Sequence, residues 1–425
     1  LKLKAAPSLG EALPVWLKIG LLGFGGPAGQ IALLHKEIVE TRDWVDEDEF
    51  ARALSFCMLL PGPEAQQLAT WLGWRLHGIR GGVAAGLLFV LPGLLVMLGL
   101  SALYVTHGRS DWAAPVLLGL KAAVVALVLQ ALVKIGRRAV KDRLAAFACG
   151  AAFVLLAFTA VPFPLVVVGA GALGWLTAKK GEGAIADAAR PTAGRARTAL
   201  VCLALWLAPI GLAWLLAPGS TLAWMGLTFG GLAAISFGGA YAALAYLGQA
   251  ASAFGWLTTT QMLDGLGLAE TTPGPLILVF VFVGFVGAYQ AAAPEWAWVV
   301  AVLGGLMAAW TTFAPSFLWI FAGGPLFECW GRRPRPARAL ALISAAAVGV
   351  IGQLALWFAL HLLFRSGQTL EAGPLRFLLP DPASLDYAAL GLTGLALALM
   401  SRLPMLALIV VMIVAGVLLK AIGLS

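Results

Sequence analysis

Apolar residues occupy this chain in long blocks, and the polar ones gather between them. Residues 144–178, 198–263, 271–294 and 296–327 contain no Asp, Glu, Lys or Arg. About 20 apolar residues in a helix cross a bilayer, so several of these runs are long enough for more than one pass. Thirteen apolar segments can be delimited, near 12–35, 50–76, 82–106, 112–134, 144–162, 164–178, 198–217, 222–248, 258–290, 296–323, 339–364, 385–400 and 403–423. The ten-residue alternation of a membrane barrel is missing. The pattern predicts an all-α polytopic membrane protein. Four of the segments are interrupted by Gly and Pro, which break helices. The interruptions form a doubled motif. Phe24-Gly25-Gly26, Trp44 and Pro61-Gly62-Pro63 are echoed by Phe237-Gly238-Gly239, Trp256 and Pro273-Gly274-Pro275, with 17 residues from Trp to the first Pro in both. Paired breaks at matching places in two halves point to discontinuous helices around a transporter's substrate site.

Charge adds orientation. The chain is 61% hydrophobic and 11% charged, against roughly 25% charged in a soluble domain. Lys and Arg cluster at 75–80, 134–143, 179–197 and 332–338, which together hold 16 of the 28 basic residues. The positive-inside rule places all four loops in the cytoplasm, and the formal charge of +8 then needs no nucleic-acid partner. Loop 36–49, with seven acids against Lys36 and Arg42, fits the outside. The segment after the first Pro-Gly-Pro ends at 75–80, inside. Its counterpart ends at Tyr289–Trp296 with no basic residue, one pass before the 332–338 cluster, hence outside. The two halves therefore face opposite ways. The expected architecture is two inverted six-segment repeats joined by one connecting helix, with broken or re-entrant half-helices at the motifs. Its domains are an N-terminal repeat at 1–178, a basic cytoplasmic linker plus connecting helix at 179–217, and a C-terminal inverted repeat at 218–425. The opening Leu1-Lys2-Leu3-Lys4 does not read as a signal peptide, and the lack of an initial Met suggests a trimmed start. Four scattered cysteines read as helix residues rather than disulfides or zinc ligands.

The breaks suggest chemistry. Pro27 and Pro63 suit the first turn of a helix that restarts, where a missing N–H does no harm; Ala240 and Pro275 would open the same half-helices in the second copy. Amide N–H groups at such a positive end bind anions. The expected substrate site comprises Phe24, Gly25, Gly26, Pro27, Gln30, Pro61, Gly62, Pro63, Gln66, Gln67, Phe237, Gly238, Gly239, Thr271, Thr272, Pro273, Gly274 and Pro275. The side chains of Gln66, Gln67, Thr271 and Thr272 can donate to oxyanion oxygens. A plain kink or a close helix contact through glycine explains one such motif more easily than two evenly spaced copies. Ionisable residues within apolar segments are functional by default. Lys121 either attracts a dianion or snorkels to the interface, and Lys18 poses the same choice. Glu64 and Glu270 flank the two Pro-Gly-Pro turns and are candidates for proton coupling, although Glu64 also suits a helix start. Arg52 and Asp264, 212 residues apart like the motifs, form a gate or, more simply, a structural brace.

Enzymatic signatures are missing: the chain has no HExxH, Walker A or GxSxG pattern. No cofactor is expected. Phe24-Gly-Gly-Pro-Ala-Gly-Gln30, Met58-Leu-Leu-Pro-Gly-Pro-Glu-Ala-Gln-Gln67, Gly86-Leu-Leu-Phe-Val-Leu-Pro-Gly93, Gly267-Leu-Ala-Glu-Thr-Thr-Pro-Gly-Pro275 and Val283-Gly-Phe-Val-Gly-Ala-Tyr289 resemble the chromate ion transporter family in its long, two-domain form. The likeness covers almost the whole chain. It implies export of chromate across the bacterial inner membrane, driven by proton motive force and conferring chromate resistance. Sulfate is then the competitor or exchange partner, and the family's origin by duplication of a half-length protein agrees with the repeat. One departure is Phe237-Gly-Gly-Ala-Tyr241, which lacks the first copy's proline. A sulfate or other oxyanion transporter, a passive anion channel and a membrane chromate reductase stand as alternatives. The expected partners are chromate, protons and the lipid bilayer; monomer and homodimer are both left open.

Overall fold

The helices begin where apolar runs meet a capping residue. A Ser8–Glu11 capping box opens α1 (Leu9–Leu22), and α2 (Gly26–His35) follows a break at 23–25. Asp46 caps α3 (Glu47–Cys57), and Asp142 caps α6 (Arg143–Phe158). Each cap oxygen accepts from a backbone N–H that the helix itself leaves orphaned. Between them lie α4 (Glu64–His107), kinked at His77–Gly78, and α5 (Ala113–Ala139). Then come α7 (Phe163–Thr177), α8 (Ala193–Leu216), α9 (Thr221–Ile235), α10 (Ala240–Ala253), α11 (Thr259–Glu270), α12 (Val279–Ala291), α13 (Ala297–Leu318), α14 (Pro334–Leu363), α15 (Tyr387–Leu399) and α16 (Met405–Ala421). This computed structural model describes residues 7–159, 161–178, 193–236, 240–323, 334–373 and 375–423. Among them, Glu64–His107, Ala113–Ala139, Ala196–Leu216, Ala297–Gly323 and Pro334–Leu363 are long and apolar enough to cross a membrane, and six further apolar helices are shorter.

The chain divides into two compact units, and each draws on both sequence halves. The first comprises Leu1–Ser101, Lys180–Ala240 and Thr272–Ala337. In it, Gly73 meets Gly81 across the kink of α4, and Gly284 of α12 meets Gly304 of α13; in both pairs an added Cβ would stand under 2.5 Å from the facing carbonyl oxygen. Small residues allow backbones this close. The second unit comprises Ala102–Lys179, Tyr241–Thr271 and Arg338–Ser425. There α5 carries α16 along Gly119 and Gly416, and α11 along Gly267, while α14 packs on α6 at Gly349 and on α7 at Gly174.

One expectation, the outside placement of loop 36–49, is corrected, and at the first pair of motifs the chain takes the re-entrant form of the two left open. Segments 12–35 and 50–76 fold back on themselves. Lys18 lies 2.7 Å from Glu37, and Arg75 lies 2.5 Å from Glu49. Straight helices would hold those pairs roughly 28 and 39 Å apart at 1.5 Å per residue. His77 also meets the carbonyl of Pro7 at 2.6 Å. The acidic loop 36–49 therefore shares an end with Arg75, instead of facing the other side. Acids orient loops weakly, and here they are engaged locally: Glu37 with Lys18 and Arg42, and His35 with Glu40 and Glu47. The fold is helical as expected, with one small two-stranded sheet among the described residues. β1 (Gly367–Ala372) and β2 (Leu375–Pro380) form an antiparallel hairpin in register from Gly367↔Pro380 to Ala372↔Leu375, with Gly373 at positive φ in its turn.

Candidate functional site at the broken helices

The first unit brings the breaks together. Gly62 donates its N–H to the carbonyl of Ser236 at 3.1 Å, and Gly274 donates to the carbonyl of Gly23 at 2.9 Å. Each bond ties the Pro-Gly-Pro turn of one half to the residue ending the helix ahead of Phe-Gly-Gly in the other half. The two bonds are equivalent. Gly62 and Gly274 have φ of 112° and 101°, conformations that glycine adopts without steric cost. Their acceptors, Gly23 and Ser236, have φ/ψ of −74°/56° and −79°/68°. Both acceptors are C-cap carbonyls, which a helix leaves unsatisfied. Phe237, Gly238 and Gly239 lie outside the described residues.

Helix starts surround these bonds. Gly25, at φ 92°, caps α2, and Pro27 is its second residue. In α4 the first helical bond runs from Gln67 N–H to Pro63 carbonyl at 3.0 Å, so the N–H groups of Glu64, Ala65 and Gln66 precede it. Pro275 caps a 3-10 turn, Leu276–Leu278, that leads into α12.

The polar lining is one-sided. Gln30, Gln66 and Gln67 are fully buried. Gln30 Nε2 donates to Gly23 O at 3.2 Å, Gln67 Nε2 to Pro61 O at 2.7 Å, and Gln66 Nε2 to Thr70 Oγ1 at 3.4 Å. Their Oε1 atoms, and the hydroxyls of Thr312 and Ser316, are buried without a hydrogen-bond partner among the described residues. Such groups are costly to bury, so each needs a reason. Ser316 Oγ lies 3.7 Å from where a Cβ on Gly62 would stand. The positions 212 beyond Gln66 and Gln67 hold Leu278 and Val279, so the first-half turn alone carries these amides.

The remaining expected residues are placed as follows. Glu64 is half-buried in the first turn of α4, and Glu270 is buried at the end of α11. Thr271 Oγ1 donates to Leu268 O at 2.7 Å, and Thr272 is buried. Lys18 is Glu37's partner rather than an unpaired cation. Lys121 belongs to the second unit, where its Nζ lies 3.3 Å from Asp264 Oδ1. Tyr104 OH donates to Asp264 Oδ2 at 2.8 Å. The partners the structure gives Asp264 are thus Lys121 and Tyr104; Arg52 is exposed. Thr312, Ser316 and Tyr104 lie outside the sequence-based expectations. The available signal for Ser316 was Pro315-Ser316 inside an uncharged run, as Pro92-Gly93 lies inside α4. Among the described residues, no group of three or more His, Cys, Asp or Glu could hold a metal ion.

Comparison with known proteins adds to this geometry. The family model described as chromate transporter matches residues 11–175 and again 223–419. The chromate transport protein of Pseudomonas aeruginosa is 37% identical over 289 residues, 64% of this chain and 65% of that protein. The probable chromate transport protein of Synechococcus elongatus is 29% identical over 351 residues, 81% of this chain and 83% of that protein. An uncharacterized transporter of Bacillus subtilis is 42% identical over 86 residues, 20% of this chain and 44% of that protein. No solved structure matches the chain.

Proposed function

The chain belongs to the chromate transporter family, and on that premise we propose that it is a secondary transporter carrying chromate out of the cytoplasm across the bacterial inner membrane. Proton motive force drives it, and chromate resistance is the consequence. The observation that carries this reading is the reciprocal pair of hydrogen bonds from Gly62 and Gly274. Two equivalent bonds, each crossing between sequence halves, are what a pseudo-two-fold axis through a substrate site would make. α13 supports inversion of the halves, because it is one apolar helix that stands in the sequence between the uncharged end of α12 and the basic residues at 332–338.

Chromate is a tetrahedral dianion and needs donors from several directions. The α4 start, the hydroxyls of Ser316 and Thr312, and the second amide hydrogens of Gln66 and Gln67 supply neutral dipoles. Dipoles can hold an anion firmly enough to select it and loosely enough to release it. Sulfate has the same shape and charge and is the expected competitor. Glu64 and Glu270, one beside each Pro-Gly-Pro turn, are the proposed proton carriers.

Inverted membrane vesicles test this. Chromate should accumulate above equilibrium when respiration imposes an interior-positive proton motive force, a protonophore should abolish the accumulation, and excess sulfate should reduce it. Flux that only equilibrates would make the protein a channel, and sulfate flux without chromate flux would change the substrate. Unaltered pH profiles in both Glu64→Gln and Glu270→Gln would remove these acids from coupling.

A further inference from the structure

The second unit contains a buried polar centre of its own. Asp264 lies midway along α11 and is 4% exposed. Its carboxylate takes the Tyr104 hydroxyl at 2.8 Å on one oxygen and Lys121 Nζ at 3.3 Å on the other. α11 packs on α5 at this level, where Gly267 meets Leu120. Lys121 is the charge that α5 presents there; its other bases, Lys134, Arg137 and Arg138, lie more than three turns further on. α11 carries one other acid, Glu270, and Arg109, just beyond α4, acts electrostatically on Tyr104. A buried ion pair adds little stability over an apolar pair of similar size, so a purely structural need does not account for it. Ionisable groups at such depth are functional by default.

We propose that Asp264 is a proton-binding site whose occupancy decides whether Lys121 is available to the transported dianion. With Asp264 ionised, the pair is neutral and the ammonium is engaged. A proton on the carboxylate removes the pairing and leaves Lys121 as an uncompensated cation in apolar surroundings. A dianion can then neutralise it, so one proton loads with each dianion and one net negative charge crosses outward, a movement that the membrane-potential part of the proton motive force drives. Tyr104 holds the carboxyl group in both forms, since its hydroxyl donates to the carboxylate and accepts from the acid. The inference rests on the reading that the chain carries chromate, and it adds a proton site separate from Glu64 and Glu270.

The test uses the full-length protein in proteoliposomes. Chromate takes up a proton itself near neutrality, so each variant is compared with wild type at the same pH, and sulfate serves as a second substrate. Asp264→Asn keeps the shape and the Tyr104 bond. It should hold the half-saturating anion level low at every pH, while the wild-type level rises by up to about tenfold per pH unit as Asp264 ionises, the limit for one proton per anion. Lys121→Met should raise that level about tenfold or more, as loss of a charge-assisted bond does. A structural brace predicts otherwise: Asp264→Asn would keep the wild-type pH dependence, and Asp264→Asn with Lys121→Met would restore wild-type transport. Either result overturns the proposal. A substrate-free readout separates it from the functional reading. On acidification, wild type should show a carboxylic-acid infrared band that Asp264→Asn lacks. The band without any chromate flux would leave the proton site and refute the substrate. Chromate flux without the band would refute the proton site.

Discussion

Replacing Gly62 with alanine should cost about 2–4 kcal/mol of stability, in two separable parts. The first is conformational. At φ 112° an alanine lies in a sparsely populated region that costs about 1–3 kcal/mol. The second is local crowding. The new Cβ would stand 3.0 Å from Gln67 Nε2, the atom that donates to Pro61 O at 2.7 Å. Displacing that amide forfeits a buried hydrogen bond worth about 1 kcal/mol. Gly274→Ala carries the same conformational cost at φ 101°, but its Cβ meets only the flexible tip of Leu278 at 3.0 Å. Gly62→Ala should therefore exceed Gly274→Ala by about 1 kcal/mol. Unfolding of the purified protein in detergent measures both, and a Gln67→Ala background separates the parts. In that background the crowding part disappears, and the Gly62→Ala penalty should fall by about 1 kcal/mol. An alanine at 62 that unfolds like wild type would refute the conformational argument. An identical penalty in both backgrounds would refute the crowding argument.

Other consequences are open to measurement. Single cysteines placed in loop 36–49 and at 79–80 should react with an impermeant thiol reagent from the same membrane face; labelling from opposite faces would refute the fold-back of both hairpins. Lys18→Met should cost only about 1 kcal/mol in thermal unfolding, since Lys18 is half exposed and water screens such pairs, whereas Glu37→Leu should cost more by stranding Arg42. Asp142, outside the membrane-spanning segments, is held down to about 2 by hydrogen bonding to Arg338 and to the N–H of Ala145. Its folded value lies below the unfolded one, so its stabilisation is complete above about pH 4 and is lost as pH falls toward 2. Asp142→Asn should flatten that part of the acid-stability curve; an unchanged acid limb would show that the Arg338 pair contributes nothing.

Much of this protein was legible in its residue order because the governing chemistry is local. Uncharged runs place the helices, Ser8, Asp46 and Asp142 begin three of them, and Gly62 and Gly274 mark where the backbone must leave helical geometry. These are properties of a residue and its immediate neighbours. Residue order did not give the direction the chain takes after each break. A glycine-proline turn permits both a continued pass and a return, and the choice falls to packing, which brings Lys18 to Glu37 and Arg75 to Glu49. The same limit hid the β-hairpin after α14, whose strands are stabilised by each other rather than by a local signal. It also hid the pairing of Asp264 with Lys121, since matched positions in a repeat suggested Arg52 instead. The bonds from Gly62 to Ser236 and from Gly274 to Gly23 join residues more than 170 positions apart. Contacts at that separation depend on the whole fold closing, so only the tertiary structure could decide them.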